Sequence, residues 1–122
     1  MTSRILVVDD SVTVRTVHTY ILQAEGFDTV EADSGFAALE ALLQQPCDLA
    51  VIDMNMPRMD GLTLARQLRA DATTRQMPII IVSTRQEARD QRLGFEAGVN
   101  AYMVKPTDPE ELVAQVRMLL RT

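Results

Sequence analysis

The segment LAVIDMNMPRMDG, residues 49–61, joins an apolar run to an acidic residue and a loop. Its first four residues are all apolar, as in a parallel strand that is covered on both faces. Asp53 follows at once, and the loop after it contains Pro57 and ends in Asp60-Gly61. A carboxylate at the end of a buried strand is a candidate nucleophile or metal ligand. The segment therefore predicts both a sheet and a site at the edge of that sheet.

Apolar runs and helical periodicity alternate along the whole chain. Short runs rich in β-branched residues lie at 4–8, 28–32, 48–53, 78–82 and 100–104. Apolar residues recur at helical spacing over 12–25, 35–45, 60–70, 85–97 and 108–121. Five strand–helix pairs in this order predict an α/β fold, a doubly wound parallel sheet with helices on both faces.

The ends of the predicted helices carry recognisable boundary residues. Asp108 precedes a proline and two acidic residues, an order typical of an N-cap followed by a first helical turn. Gly26 and Gly98 follow helical segments, as helix-terminating glycines do. Gly35 and Gly61 are expected to be turn or cap glycines, because no phosphate-loop spacing surrounds them.

Length, charge and hydropathy narrow the class of protein. The chain has 122 residues, so we expect one domain over 1–122. A net charge of −5 argues against general nucleic-acid binding, which needs a basic surface. The sequence shows neither a signal-peptide pattern nor an apolar stretch of the ~20 residues that span a membrane. These features predict a cytoplasmic protein.

Two further strand ends carry charged residues. Asp9 and Asp10 close the run over 4–8, and Lys105 closes the run over 100–104. Ligands of open parallel sheets bind outside the carboxyl ends of the strands, so these residues are expected to meet Asp53. Close carboxylates repel one another, and a hard cation such as Mg²⁺ relieves that repulsion. Mg²⁺ and a lysine beside one carboxylate suit phosphoryl transfer, with Asp53 as nucleophile.

Simpler roles remain open for each residue taken alone. Asp10 could cap the first helix, and Asp60 with Gly61 could form only a turn before the third. Lys105 alone could be a solvated strand end. We favour a shared site because the charges follow three strands of the same predicted sheet.

The chain resembles, over essentially its whole length, the receiver domain of two-component response regulators, of which the chemotaxis regulator is a single-domain example. Residues 7–11 resemble the family's acidic pair, and residues 53–61 its phosphoacceptor loop. Residues 81–84 resemble its switch-hydroxyl strand, and Lys105-Pro106 its lysine with a following proline. The resemblance implies a flavodoxin-like sheet of order 2-1-3-4-5 with five helices.

The family's phosphorylation and metal roles fall on matching positions. The resemblance implies that Asp53 is phosphorylated by a histidine kinase or phosphotransfer protein. It implies Mg²⁺ as cofactor, bound by the side chains of Asp10 and Asp53 and the backbone carbonyl of Asn55. Asp9 is expected to reach the metal mostly through water.

The resemblance also implies the residues of a switch. Ser83 is expected to hydrogen-bond a phosphoryl oxygen, and Lys105 to pair with another. The Lys105-Pro106 peptide bond is expected to be cis. Tyr102 matches the family's switch aromatic, whose ring turns inward when the serine moves; packing of Tyr102 against the fourth helix is a compatible structural role.

Some residues are expected to modify the rate or the output of this switch. Thr84 stands where the family usually has a smaller residue, and we expect its bulk to crowd the phosphoryl entrance. Arg85 is expected, with Asn55, to affect the attacking water. Arg85, Arg89 and Arg92 share a helical face by spacing, which is either solvated or part of a partner surface made by helix four, strand five and helix five.

Other chemistry-bearing residues are expected to be structural. Met54, Met56 and Met59 match a copper motif only superficially. His18 lies in the first helix without a matching ligand, so surface exposure or satisfied packing is expected. Cys47 has no cysteine partner for an internal disulfide and is expected to pack in the core.

The combined prediction is a phosphorylation-activated switch that binds a target protein and autodephosphorylates, rather than an enzyme acting on a separate substrate. Monomer and phosphorylation-dependent dimer both remain open. A haloacid-dehalogenase-type phosphatase would need a DxD motif on the first strand, and an FMN-binding flavodoxin a Ser/Thr/Gly-rich loop after it. Two alternatives stay open: a receiver module cut from a hybrid kinase or longer regulator, and a phosphate-independent pseudo-receiver.

Overall fold

A computed structural model describes residues 2–84 and 88–121, with the backbone only for 88–90. Five strands and five helices alternate along the described chain. They are β1 (Arg4–Val8), α1 (Val12–Ala24), β2 (Asp28–Ala32), α2 (Gly35–Gln44), β3 (Leu49–Asp53), α3 (Gly61–Ala70), β4 (Ile79–Ser83), α4 (Ala88–Glu96), β5 (Ala101–Val104) and α5 (Pro109–Leu120). The predicted alternation is confirmed.

The five strands form one parallel sheet of order β2-β1-β3-β4-β5, as expected. The three inner strands are buried almost throughout, which explains why each is apolar except at one end, where Arg4, Asp53 or Ser83 stands. Their side chains alternate between two apolar clusters. One cluster contains residues of α2 and α3, and the other contains residues of α1 and α5. The sheet therefore lies between two helical layers.

Side-chain caps begin four of the helices. The N-cap oxygens of Ser11, Ser34, Asp60 and Asp108 accept hydrogen bonds from backbone N–H groups of the first turns. Ser11, rather than Asp10, therefore caps α1, and Asp10 is left for another role. Asp60 does more than form a turn, because it caps α3.

Glycines mark helix ends and one close approach. Gly26 and Gly98 have φ values of 90° and 92°, which confirms them as helix-terminating residues. Gly61 is the first residue of α3, and a Cβ there would collide with the backbone carbonyl oxygen of Asp53. The start of α3 thus rests directly on the strand end that carries Asp53.

Outside the fourth helix the described boundaries agree with the sequence prediction to within one residue, and two differences lie near the predicted site. β4 continues one residue further than predicted, so that Ser83 is its last residue. The described part of the fourth helix begins at Ala88, whereas the prediction began at 85, and residues 85–87 lie outside the described residues. In the described part of the chain, no helix combines the length and apolar character needed to cross a bilayer.

A half-buried arginine joins three segments at the amino edge of the sheet, where the strands begin. Arg69, in the last turn of α3, donates hydrogen bonds to the carbonyl oxygens of Thr74, Arg75, Met77 and Gly98 and to Asn100 Oδ1. The same Asn100 Oδ1 accepts from the N–H of Ile79 at the start of β4. Arg69 therefore fixes the segments that lead into β4 and β5.

Candidate functional site

Strand register brings the charged strand ends together. Val8 pairs with Ile52, so Asp9 and Asp53 follow paired residues on neighbouring strands. On the other side of β3, Asp53 itself pairs with Val82, the residue before Ser83. Lys105 follows Val104, the partner of Ser83. The carboxyl ends of four strands thus place two acids, a hydroxyl and a lysine at one edge.

Lys105 links the two buried carboxylates. Its Nζ lies 3.0 Å from Asp9 Oδ2 and 3.0 Å from Asp53 Oδ1. Asp9 and Asp53 are 2% and 5% exposed, so both ion pairs lie away from bulk water. The predicted proximity of Lys105 to the acids is therefore present in the structure.

Burial sets the proton affinities of the pair. Burial raises the pKa of Asp53, Asp9 raises it further, and hydrogen bonds from Lys105 and the Asn55 backbone partly offset this. Burial by itself lowers the pKa of Lys105, but its ion pairs with Asp53 and Asp9 outweigh burial, so that its pKa is raised. Lys105 therefore stays protonated. A further positive charge nearby would stabilise the ionised form of Asp53, which burial disfavours.

Three carboxylates form a cluster suited to a hard cation. One oxygen from each of Asp9, Asp10 and Asp53 lies within 4.8 Å of the others, and Asp10 is exposed. Asp9 already accepts hydrogen bonds from the Ser11 N–H and from Lys105 on its two oxygens. Asp53 likewise accepts from Lys105 and from the Asn55 backbone. An all-oxygen set with excess negative charge fits Mg²⁺.

The predicted switch residues line the far side of the site. Ser83 is fully buried, and its carbonyl oxygen accepts a 2.7 Å hydrogen bond from the N–H of Lys105. Tyr102 is half-buried against the apolar cluster of α2 and α3, and its ring lies close to Gly94 of α4. The Lys105-Pro106 bond is cis, as expected.

The expected modulating residues are only partly described. Thr84 is exposed, and with Lys105 and Pro106 it lines a cavity of about 310 Å³ beside α1. Arg85 lies outside the described residues, as does the side chain of Arg89. Arg92 is exposed on α4, with its Nε 3.8 Å from Glu96 Oε1.

The residues expected to be structural lie in the interior. Met54, Met56 and Met59 are between 5% and 8% exposed and belong to the apolar cluster of α2 and α3. Cys47 packs against the same cluster, and burial raises the pKa of its thiol to about 11. His18 is 3% exposed, and its Nε2 lies 3.2 Å from Thr107 Oγ1. Satisfied packing, one of the two expectations for His18, is confirmed.

Sequence reasoning missed two supports of the site. Arg15 donates a 2.7 Å hydrogen bond to the carbonyl oxygen of Asp9, and His18 contacts Thr107 in the loop after Lys105. Neither contact has a local signal, because its two partners come from separate segments.

Known proteins are similar to this chain in both sequence and fold. The model of the response regulator receiver domain matches residues 5–117. The DNA-binding response regulator MtrA of Mycobacterium tuberculosis is 40% identical over 121 residues, which cover 99% of this chain and 52% of MtrA. A putative response regulator from Chloroflexus aurantiacus superposes with a TM-score of 0.94 at 32% identity, covering 98% of both chains. The chemotaxis protein CheY4 of Vibrio cholerae gives a TM-score of 0.93 at 27% identity, covering 98% of this chain and 99% of its own.

Proposed function

This chain belongs to the response regulator receiver domain family of two-component signalling, and from that premise we propose that it is a cytoplasmic switch phosphorylated on Asp53. A histidine kinase or phosphotransfer protein supplies the phosphoryl group in a Mg²⁺-dependent reaction. The phosphorylated form binds a target protein, and water resets the switch. Residues 1–122 act as one receiver unit in this proposal.

One observation carries the proposal. Asp53 is a nearly buried carboxylate that faces both a cation, Lys105, and two further carboxylates, Asp9 and Asp10. Three carboxylates and one lysine leave an excess of negative charge at this edge. A divalent cation neutralises that excess, and a phosphoryl group can then approach Asp53.

The phosphoryl step uses residues that already converge. An Asp53 carboxylate oxygen attacks the phosphorus of the donor, a new P–O bond forms, and the bond to the leaving group breaks. The leaving group departs with the bonding pair and takes a proton from water. Lys105 turns from Asp53 towards a phosphoryl oxygen, and the Ser83 hydroxyl donates to another. Asp10, Asp53 and the Asn55 carbonyl would hold Mg²⁺, which would supply positive charge to the phosphoryl oxygens.

The output is a change of surface rather than turnover of a substrate. Movement of Ser83 towards the phosphoryl group makes room for the Tyr102 ring, and the face of α4, β5 and α5 changes. The phosphoryl group shifts this equilibrium only by interacting more strongly with the active arrangement. Charge reversal at Arg89 and Arg92 should weaken target binding and leave Asp53 phosphorylation intact. A fall in phosphorylation would instead assign this face to kinase docking.

A second candidate is the receiver module of a longer regulator. The chain spans about half the length of the curated relatives it matches, which include DNA-binding regulators. In that setting the switch acts on an attached output domain rather than on a separate target. The chemistry at Asp53 is the same in both, so the first experiment applies to either.

Intact-mass measurement tests the proposal directly. The protein is incubated with acetyl phosphate or phosphoramidate and Mg²⁺, alongside Asp53→Asn and an EDTA control. We expect one added phosphoryl group in the wild type and none in either control. Phosphorylation that survives Asp53→Asn would move the acceptor to another residue. If the wild type is not phosphorylated and binds its target equally well with and without the phosphoryl donor, the phosphate-independent alternative is favoured.

Thr84 offers a test of access to the site. Its exposed side chain lines a cavity together with Lys105. We expect Thr84→Ala to speed phosphorylation by small donors, autodephosphorylation, or both. Thr84→Val keeps the bulk and removes the hydroxyl, so it should behave as the wild type does. Equal rates for Thr84→Ala and wild type would contradict crowding.

A further inference from the structure

We propose that Arg15 is a positioning residue for the metal site, because it fixes the peptide that joins Asp9 to Asp10. The proposal rests on the Mg²⁺ role assigned above to these acids. It concerns the side chain that sets their geometry, and it predicts that Mg²⁺ affinity depends on an arginine that is not a ligand.

The first step is the contact itself. Arg15 Nη1 donates a 2.7 Å hydrogen bond to the carbonyl oxygen of Asp9. That oxygen belongs to the planar peptide unit whose nitrogen is that of Asp10. The hydrogen bond to this oxygen limits rotation of the peptide unit. It thereby restricts the position of the Asp10 backbone from which the side chain extends. Asp10 is exposed, so little else in its surroundings restrains it.

The second step is the anchor on the other side of Arg15. Its Nε lies 2.9 Å from Glu31 Oε1, and Glu31 is held in β2. The neighbouring Ala32 carbonyl accepts from the N–H of Asp9 at 3.1 Å. The Arg15 side chain is only 15% exposed. The loop after β1 is therefore tied to the end of β2 by one backbone bond and one guanidinium bridge.

The third step separates geometry from charge. A guanidinium can donate from Nη1 and Nε in two directions at once, whereas a lysine offers one compact ammonium. Arg15→Lys therefore keeps the positive charge but loses the bridge. If Arg15 acted only through its charge, its removal would strengthen binding of a divalent cation, because like charges repel. Positioning and charge thus predict opposite results for Arg15→Ala.

The same two strands provide a matched control at their opposite ends. Arg4 begins β1, and its Nε lies 3.1 Å from Asp28 Oδ2 at the start of β2. This pair also joins β1 to β2 through a guanidinium and a carboxylate. It lies at the amino edge, away from Asp9 and Asp10. Substitution of either Arg15 or Arg4 should loosen the pairing of β1 with β2. Only substitution of Arg15 should lower the affinity for Mg²⁺.

Calorimetric titration with Mg²⁺ tests the proposal on wild type, Arg15→Lys, Arg15→Ala and Arg4→Ala. We expect the Mg²⁺ dissociation constant to rise about tenfold in both Arg15 variants and to stay at the wild-type value in Arg4→Ala. Phosphorylation at saturating Mg²⁺ should recover in Arg15→Lys, since Asp53 and Lys105 are unchanged. Thermal unfolding in EDTA checks that all four proteins are folded.

Three results would overturn the inference. They are a wild-type dissociation constant in Arg15→Lys, tighter binding in Arg15→Ala, and an equal rise in Arg4→Ala. A wild-type protein that binds no Mg²⁺ would instead contradict the proposed function. The two failures are therefore distinguishable in one set of titrations.

Discussion

Two side chains, Lys105 and Arg69, each bring a positive charge into the protein, at opposite edges of the same sheet. Arg69 donates to four carbonyl oxygens and one amide oxygen, all of them neutral acceptors. Lys105 contacts two carboxylates, and a third carboxylate, Asp10, lies beside them. The first arrangement satisfies its charge with fixed dipoles, and the second leaves negative charge in excess.

The difference shows how a half-buried positive charge can serve either structure or function. Several carbonyl dipoles stabilise one cation without adding net charge, so the Arg69 clamp requires nothing further. Close carboxylates around one ammonium repel one another, and a bound cation can relieve that repulsion. The amino edge is therefore complete without a ligand, whereas the carboxyl edge is suited to receive one.

The largest expected effect is loss of the amino-edge clamp. Arg69→Met keeps the length of the side chain but leaves several carbonyl oxygens without a donor, so we expect a loss of about 3 kcal/mol in the free energy of unfolding. Urea denaturation measures this, with Arg66→Met, an exposed residue of the same helix, as control. Mg²⁺ affinity should stay unchanged. A cost no greater than that of Arg66→Met would show that water replaces the clamp.

Removing a charge at the carboxyl edge, where the strands end, should raise the free energy of unfolding, whereas loss of the Arg69 clamp lowers it. Asp53→Asn deletes a buried carboxylate, so we expect a gain of about 1 kcal/mol in the free energy of unfolding at neutral pH in EDTA. Burial raises the pKa of Asp53 in the folded state, so its ionisation costs stability as pH rises above 3.8, the ordinary pKa of an aspartate. The gain should therefore shrink as pH is lowered towards that value.

Urea titrations of wild type and Asp53→Asn across this pH range test the sign. Asp10→Asn is the control, since it changes an exposed carboxylate of the same cluster and should give a smaller gain. Destabilisation by Asp53→Asn at neutral pH would mean that the ion pair with Lys105 outweighs burial.

His18 gives a pH dependence of the reverse direction beside the same site. Burial lowers the pKa of His18 from 6.5, Asp9 raises it in part, and Lys105 lowers it further. As pH falls, His18 is therefore protonated more readily in the unfolded chain than in the folded one, and the free energy of unfolding decreases below pH 6.5. Between about pH 7.5 and 5.5 we expect wild type to lose roughly 1 kcal/mol more than His18→Gln. Parallel stability curves for the two proteins would contradict this.

The smallest effect concerns backbone strain near Asp53. Arg58 has a φ of 70° in the loop between β3 and α3, a conformation that disfavours most side chains. Arg58→Gly should gain about 0.5 kcal/mol in the free energy of unfolding, because relief of strain exceeds the added entropy of the unfolded chain. Arg58→Ala keeps the Cβ and should gain nothing. Equal effects of the two variants would assign the change to the lost side chain instead.

The carboxyl edge could be predicted from the sequence because its side chains are themselves distinctive. Asp9, Asp53 and Lys105 each end an apolar run, and parallel strands bring their carboxyl ends to one edge. The cap at Ser11 was not predicted, because the neighbouring Asp10 offered the same role, and Asp60 was predicted only as a possible turn residue.

The supports of both edges could not be predicted, for a physical reason. Arg69 and Arg15 bind backbone carbonyl oxygens, and every residue has one, so the acceptor leaves no trace in the sequence. The contact between His18 and Thr107 joins residues 89 positions apart. Such contacts depend on packing and loop paths, which apolar periodicity does not specify.

The register of the sheet also bears on where the chain tolerates a change of length. Asp53, Ser83 and Lys105 meet because Asp53 pairs with Val82 and Ser83 with Val104. One residue inserted or deleted within β3 or β4 would move every following side chain of that strand to the opposite face. A change of length in a loop at the amino edge does not alter the strand register, except in the segment held by Arg69. Length variation among related chains should therefore collect in the turns that precede β2 and β3, where an added residue leaves the meeting of these three side chains undisturbed.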